Sequence, residues 1–190
     1  MKILAVNGHP DASSYVSALF REYIKHLDLQ QHELKAIELG KMNFDPVLRF
    51  GYRKRMESDP DIEESQNLVK WADHIVLFYP IWFETVPSLL KGWFERVLTP
   101  GFAYNMDGFK VAKLLKGKTA HLISTSHAPT FYQRLTGDIE LKTVKRTLNF
   151  CGIKIKQVDR LGCYVAGKYE SHKKRMCFLT LIAKRARKVI

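Results

Sequence analysis

The first chemically suggestive stretch of the sequence is NGHPDASSYVSALF, which places a histidine and two serines directly after a short apolar run. Hydroxyl and imidazole groups can donate hydrogen bonds to phosphate oxygens. His9, Ser13 and Ser14 also precede a helical pattern, and the unpaired N–H groups of a helix start attract anions. The stretch contains neither GxGxxG nor GxxxxGK[ST], so a phosphate bound here uses another design. A structural role is equally open at this point, with Ser14 capping the helix and His9 closing a turn.

A second stretch, YPIWFETVPSLLKGWFERV, combines a strand-ending proline with a dense set of aromatic side chains. Pro80 follows a buried run and ends it, so the next four residues are predicted to form a turn whose backbone amides face a planar ligand. Trp82 and Phe83 would form walls for that ligand. Core packing is the alternative explanation for aromatic residues at this density, and it is the favoured one for Trp93 and Phe94.

Five apolar strand patterns alternate with helical patterns along the chain. The strands are predicted at Lys2–Val6, 32–39, 74–79, 118–124 and within Ile153–Tyr164. The helices are predicted after Ser14, before Trp71, over Pro87–Leu98 and Asp138–Phe150, and from about Glu170, with a loop over 40–60. The alternation predicts one α/β domain over residues 1–190, with a five-stranded parallel sheet and helices on both faces. Ligands bind beyond the carboxyl ends of such strands, so the loops after strands one, three and four are the candidate site.

Composition restricts the class of protein further. Of the 190 residues, 46% are hydrophobic, which is enough for a sizeable core. No apolar run approaches the roughly 18 residues that a membrane span needs, and the apolar N-terminal run is too short for a signal peptide, so we expect a cytoplasmic protein. Cys151, Cys163 and Cys177 lack CxxC spacing, and we therefore expect neither a disulfide framework nor a metal site. The net charge of +12 is concentrated in residues 168–190, where it suits a solvated helix face or the attraction of phosphate groups.

The run from Tyr79 to Tyr104, YPIWFETVPSLLKGWFERVLTPGFAY, resembles the flavodoxin-like NAD(P)H:quinone oxidoreductases, bacterial members included. NGHPDASSYV is similar to the flavin phosphate loop of that family. MNFDPVL and LNFCGIK also resemble family segments, so the resemblance covers nearly the whole chain. It implies a homodimeric flavoprotein that binds FMN or FAD and transfers hydride from NAD(P)H to a quinone by a ping-pong, two-electron mechanism.

The resemblance also assigns roles to individual residues. Those expected around the flavin phosphate and ribityl chain are His9, Ser13, Ser14, Tyr15 and Val16. Those expected to line the isoalloxazine ring are Pro80, Ile81, Trp82 and Phe83, with backbone N–H groups facing N1, O2 and N5. Tyr104 is expected to enter the substrate pocket of the partner subunit.

The loop after the fourth strand, STSHAPTFYQR, departs from the best-known family members, which carry Thr-Thr-Gly-Gly there. Ser124, Thr125 and Ser126 keep hydroxyls that are predicted to bind the flavin. Tyr132 falls near the pocket tyrosine of the family. With His127 it is predicted to stabilise charge on the flavin and to shuttle a proton to the reduced quinone. In the alternative interpretation, His127 faces solvent and Tyr132 packs on the loop.

Other function classes share some of these features. A one-electron flavodoxin has the same fold, but such carriers are acidic whereas this chain is basic. A flavin-binding regulatory subunit of a potassium efflux system, or of another partner, would keep both fold and flavin. Nucleic-acid binding would show as a salt-sensitive mobility shift with duplex DNA, and we expect none. Residues 51–55, GYRKR, suit either the second phosphate of FAD or a solvated surface, and FMN is the favoured prediction.

Overall fold

A computed structural model of the chain describes residues 1–162 and 169–189. Its strands are β1 (Lys2–Asn7), β2 (Glu33–Glu38), β3 (His74–Pro80), β4 (Tyr104–Asp107), β5 (Lys110–Lys113), β6 (Thr119–Thr125) and β7 (Lys154–Leu161). Five of them form one parallel sheet in the order β2-β1-β3-β6-β7. The predicted five-stranded parallel sheet is thereby confirmed. β4 and β5 form a separate antiparallel hairpin that the sequence patterns did not predict.

The position of each strand in the sheet explains how strongly its sequence pattern predicts it. β1, β3 and β6 lie in the middle and are buried almost throughout, so KILAVN and HIVLFYP are nearly continuous apolar runs. β2 and β7 form the two edges and mix exposed with buried positions. The last two residues predicted for the fifth strand, at 163 and 164, lie outside the described residues, and so does the cysteine at 163.

Helices cover both faces of the sheet. Within the described residues they are α1 (Tyr15–His26), α2 (Pro60–Trp71), α3 (Ser88–Val97), α4 (Thr130–Leu135), α5 (Ile139–Cys151) and α6 (Tyr169–Ala186). α1 and α6 share one core, in which Phe20 and Tyr23 pack with Ile182. α2, α3 and α5 cover the opposite face, where Trp93 and Phe94 are buried core residues as predicted. Among the helices described here, none has the length and apolar character that a membrane span requires.

The long loop predicted over residues 40–60 is held against α3 by one close approach. A 3-10 turn at Leu39–Lys41 is followed by irregular chain up to Asp59, which caps α2. A Cβ on Gly92 would lie 2.4 Å from the carbonyl oxygen of Pro46, so only glycine fits at this crossing. Arg96, one turn further along α3, donates to the carbonyl oxygen of Asp45 at 2.6 Å.

The start of β3 carries a buried histidine that makes stability depend on pH. His74 is 2% exposed and its Nδ1 lies 2.7 Å from Thr119 Oγ1. Burial, together with the nearby His121 and His32, lowers the pKa of His74 to about 4. In the unfolded chain the imidazole titrates near its ordinary value of 6.5, so the unfolded state binds the extra proton between these two values.

We therefore expect His74 to contribute stability that is fully present above about pH 6.5 and is lost as the pH falls towards 4. The loss amounts to about 3 kcal/mol of unfolding free energy, since one pKa unit corresponds to 1.36 kcal/mol. Urea unfolding of wild type and His74→Gln across pH 4 to 7 measures it, and the variant should show a shallower dependence. The exposed His172→Gln controls for the loss of an imidazole. Parallel pH profiles for wild type and His74→Gln would contradict the expectation.

Candidate active site

A cleft of about 670 Å³ opens at the carboxyl ends of β1, β3 and β6, at the sheet edge where the sequence places the candidate loops. Its walls include His9, Ser14, Tyr15 and Val16 from the first loop, Pro80, Ile81, Trp82 and Phe83 from the second, and Thr125, Ser126 and His127 from the third. The volume lies within the range of small-molecule and cofactor sites. The fold therefore brings most of the predicted site residues together in one cavity.

The first loop is shaped by a buried hydrogen-bond network below the cleft. Asn7 Nδ2 donates to Ser17 Oγ at 2.8 Å, and Asn7 Oδ1 accepts the His9 backbone N–H at 3.1 Å. Ser17 Oγ in turn donates to the carbonyl oxygen of Asp11 at 2.8 Å. Ser14 caps α1 by accepting the Ser17 N–H at 3.1 Å. The capping interpretation of Ser14 is thus confirmed, and its hydroxyl still lies in the cleft wall.

His9 presents a hydrogen-bond donor at this end of the cleft. Its Nδ1 accepts the backbone N–H of Asp11 at 2.9 Å, so a neutral His9 carries its proton on Nε2. Burial lowers the pKa of His9 below its ordinary value, although Asp11 opposes the shift. The His9 ring also meets Trp82 edge to face, with ring centroids 5.4 Å apart. This contact joins the first loop to the second across the cleft.

The second loop ends in a tight turn built without glycine. Trp82 and Thr85 exchange two backbone hydrogen bonds, of 2.9 and 3.0 Å. Between them Phe83 and Glu84 adopt φ values of 48° and 58°, which is the left-handed geometry of a type I′ turn. Phe83 is fully exposed at the cleft mouth. The predicted turn is present, but its residues are held in a sparsely populated backbone region.

The turn has fewer available amides than the sequence analysis expected. Pro80 has no N–H, Ile81 N–H donates to the carbonyl oxygen of Thr125 at 2.7 Å, and Trp82 N–H donates to Thr85. The expectation of a row of amides along residues 80–83 is therefore wrong for Pro80, which has no N–H, and for Ile81 and Trp82, whose N–H groups are used by the sheet and the turn. Within residues 1–162 and 169–189, the N–H groups of Phe83 and Glu84 have no hydrogen-bond acceptor. These two remain as the donors that this loop can offer to a ligand.

The third loop, described along its whole length, is held by hydrogen bonds of Ser126 and has no residue in the left-handed backbone region. Ser126 N–H donates to the carbonyl oxygen of Leu161 at 2.9 Å, and Ser126 Oγ donates to that of Ala128 at 2.7 Å. No residue from 124 to 132, all of them described, has a positive φ. The loop also passes close to Gly162, where a Cβ would lie 2.6 Å from the Thr130 backbone nitrogen. Thus the end of β7 supports this loop from behind.

Four predicted site residues do not line this cleft. Ser124 is 1% exposed and lies in register with the buried Tyr79, so its side chain points to the same face of the sheet as that of Tyr79. Ser13 is exposed on the loop, and its N–H donates to Asp11 Oδ1 at 2.8 Å. Tyr132 is half exposed on α4. Tyr104 meets Phe150 edge to face, with ring centroids 4.7 Å apart, at a separate cavity of about 330 Å³.

The structure adds residues that the sequence reasoning missed. Asn7 and Ser17 are buried and fix the first loop, and Asp11 lines the cleft. No role in the site was predicted for Asn7 or Ser17. The spacing of Ser14 and Ser17 could have indicated their contact, because the side chain of an N-cap residue accepts a hydrogen bond from the backbone N–H three residues later.

Comparison with known proteins places the chain among flavodoxin-like proteins. The family model described as "Flavodoxin-like fold" matches residues 1–172. The mouse ribosyldihydronicotinamide dehydrogenase [quinone] is 30% identical over 181 residues, which covers 81% of this chain and 78% of the relative. The guinea pig (Cavia porcellus) NAD(P)H dehydrogenase [quinone] 1 is 28% identical over 180 residues, covering 81% and 66% respectively. Among solved structures, Smu.1420 from Streptococcus mutans UA159 matches with a TM-score of 0.85 and 27% identity over the full length of both chains.

Proposed function

The chain belongs to the flavodoxin-like NAD(P)H:quinone oxidoreductase family, and from that premise we propose that it binds FMN in the cleft and passes two electrons from NAD(P)H to a quinone. The observation that carries the proposal is the cleft itself, which joins a polar end to an aromatic wall at the carboxyl edge of the sheet. A flavin matches that division, with a phosphate at one end of the molecule and a planar ring at the other. When bound, the flavin supplies the ability to accept and release an electron pair.

The polar end suits the phosphate. His9 offers its Nε2–H, and the start of α1 adds the Val16 N–H, which has no acceptor within the described parts of the chain. Ser14 lies beside them in the wall; its hydroxyl donates to Ser17 Oγ at 3.0 Å and would exchange that partner for a bound anion. Residues 51–55 are exposed and do not line this cleft, which favours FMN over FAD.

The aromatic end suits the ring. Trp82 and Phe83 offer apolar surface against which one side of the ring would pack, while the N–H groups of Phe83 and Glu84 serve as fixed donors to the polar edge of the ring. Thr125 and Ser126 line the other side of the cleft. We assign to His127 and Tyr132 the task of holding a proton near the oxygen of the acceptor, where the product quinol needs it.

We expect donor and acceptor to use this one cleft in turn, which is the condition for ping-pong kinetics. Large apolar side chains are exposed on α4, where Phe131 is 71% and Leu135 81% exposed, and Phe83 of the cleft wall is fully exposed. Exposed apolar surface of this kind supports a second copy of the chain covering the site. Tyr104 lies at a cavity separate from the cleft of its own chain. Its predicted role in a substrate pocket therefore requires that it enter the cleft of the partner subunit. NAD(P)H as donor suits a cytoplasmic location.

The proposal is tested on the purified protein. It should be yellow, NADH or NADPH should bleach it without oxygen, and a quinone should restore the colour. The mass of the released cofactor identifies FMN or FAD. Colourless protein that FMN and FAD fail to reconstitute would contradict the proposal, and a yellow protein that NAD(P)H leaves oxidised would favour the regulatory alternative.

A further inference from the structure

A row of polar side chains crosses three strands beneath the second and third loops. Tyr79 on β3 is in register with Ser124 on β6, which is in register with Arg160 on β7. Register partners in a parallel sheet point to the same face. Glu140 of α5 connects the outer two, since it accepts from the Tyr79 hydroxyl and from Arg160 Nη2, the latter at 2.8 Å. Glu140 is 3% exposed, so this is a buried ionic contact.

The same arginine holds the corner between α4 and α5. Arg160 Nη1 donates to Asp138 Oδ1 at 2.6 Å. Asp138 has a φ of 50°, in the left-handed region, and its N–H donates to the carbonyl oxygen of Gln133 at 2.7 Å. Gln133 belongs to α4, the short helix that carries Tyr132. The forked guanidinium therefore ties this helix to the edge of the sheet.

A small cavity lies at the same place. It has a volume of about 20 Å³, and its lining includes Gln133 and Arg160 as well as Ile81 and Glu84 of the second loop. Arg160 Nε–H and Gln133 Oε1 are buried there and have no partner among the described protein atoms. A water molecule needs roughly 10–15 Å³ of such space and two or more polar partners. The cavity meets both conditions for one water, and its walls join α4 to the Trp82–Thr85 turn.

We propose that Arg160, anchored by Glu140, is a positioning residue that together with one buried water bound to Gln133 fixes helix α4 and its Tyr132 relative to the Trp82–Thr85 turn. The inference rests on the proposed function, because it gives the arginine a part in setting the acceptor side of the cleft. The proposal gives neither Arg160 nor the water a direct contact with the flavin or the acceptor. Lysine cannot replace the arginine, because a single ammonium group does not reach Glu140, Asp138 and the water together.

The test uses Arg160→Lys, with Arg185→Lys as the matched control. Arg185, on α6 at the opposite face of the sheet, contacts Asp159, which is also bound to His121. In flavin-free protein, hydrogen–deuterium exchange of the amides at 130–138 should be about tenfold faster in Arg160→Lys and unchanged in the control. In the reconstituted enzyme, the quinone KM should rise about tenfold while FMN affinity stays within about twofold of wild type.

Unchanged exchange at 130–138, or an unchanged quinone KM, would overturn the inference. If Arg160→Lys does not fold, Gln133→Met removes the amide that binds the water without removing a charge. That variant should likewise speed exchange at 130–138, and wild-type exchange in it would count against the positioning role. A wild-type protein that holds no flavin or lacks reductase activity would defeat the proposed function, whereas the exchange measurement reports on the arginine in either case.

Discussion

Ser14→Asp is expected to strip FMN from the protein while leaving the chain folded. Aspartate is as good a helix cap as serine, so α1 should keep its first turn. The new carboxylate would stand in the cleft wall where the proposed phosphate binds, and a phosphate monoester carries a charge of about −1.5 to −2. Two like charges roughly 4 Å apart repel by about 4 kcal/mol at an effective dielectric constant near 20. We expect the Kd for FMN to rise at least about 100-fold, as measured by fluorescence titration of the flavin-free protein.

Two matched variants separate charge from structure in this experiment. Ser14→Ala removes the cap without adding charge, and it should lower the unfolding free energy by about 1 kcal/mol but raise the Kd less than about tenfold. Ser13→Asp adds the same charge one residue earlier, on an exposed side chain outside the cleft lining. It should affect FMN binding much less than Ser14→Asp. Equal effects of the two aspartates would move the phosphate site elsewhere.

Turnover should fall about 100-fold in the double variant Tyr132→Phe with His127→Ala, with flavin occupancy unchanged. Positioned acid–base groups contribute roughly 10² to 10⁴ to rate. Neither side chain is buried, so folding should survive the change. The measurement is steady-state quinone reduction at saturating NAD(P)H, together with the flavin content of the purified variant.

The single variants show which group acts. Tyr132→Phe keeps the ring and removes only the hydroxyl, so a loss of rate there reports on the proton alone. His172→Ala, at an exposed position on α6, controls for the removal of an imidazole. Wild-type turnover in the double variant would take both residues out of the mechanism and return the loop to a purely structural role.

The core of the fold could be predicted because burial leaves a recognisable residue pattern. Buried strands are continuous apolar runs, and amphipathic helices repeat apolar residues every three or four positions. HIVLFYP lies at the centre of the sheet, and its continuous apolar run predicts β3 nearly to the residue. The β4–β5 hairpin could not be found this way, since YNMD and KVAK are short, mostly exposed and built from residues with no shared period. α4 is also short, and because only Gln133 among its residues is buried, it too lacks an apolar pattern from which it could be predicted.

The location of the site could be predicted as a set of loops, because the carboxyl ends of parallel strands lie at one edge of the sheet and the loops that follow them lie there too. The hydrogen-bond assignments inside those loops could not. Whether the Ile81 N–H meets a ligand or a neighbouring strand depends on Thr125, which lies more than forty residues away in the sequence. The network of Arg160 was invisible for the same reason, since its partners Asp138 and Glu140 lie 22 and 20 residues away in the sequence, and Tyr79, which donates to Glu140, lies on β3. Local patterns carry no information about such long-range pairs.

The strained backbone of the Trp82–Thr85 turn also has a consequence for the steady-state level of this protein in a cell. Phe83 and Glu84 sit at positive φ, which costs of order 1–3 kcal/mol each, and their amides lack partners in the described chain. A cofactor that binds only the folded state stabilises it by mass action, by about 2.7 kcal/mol at 100 times its Kd. Chains made while flavin is scarce should unfold more often and be degraded sooner. The steady-state level of the protein is therefore expected to follow the riboflavin supply.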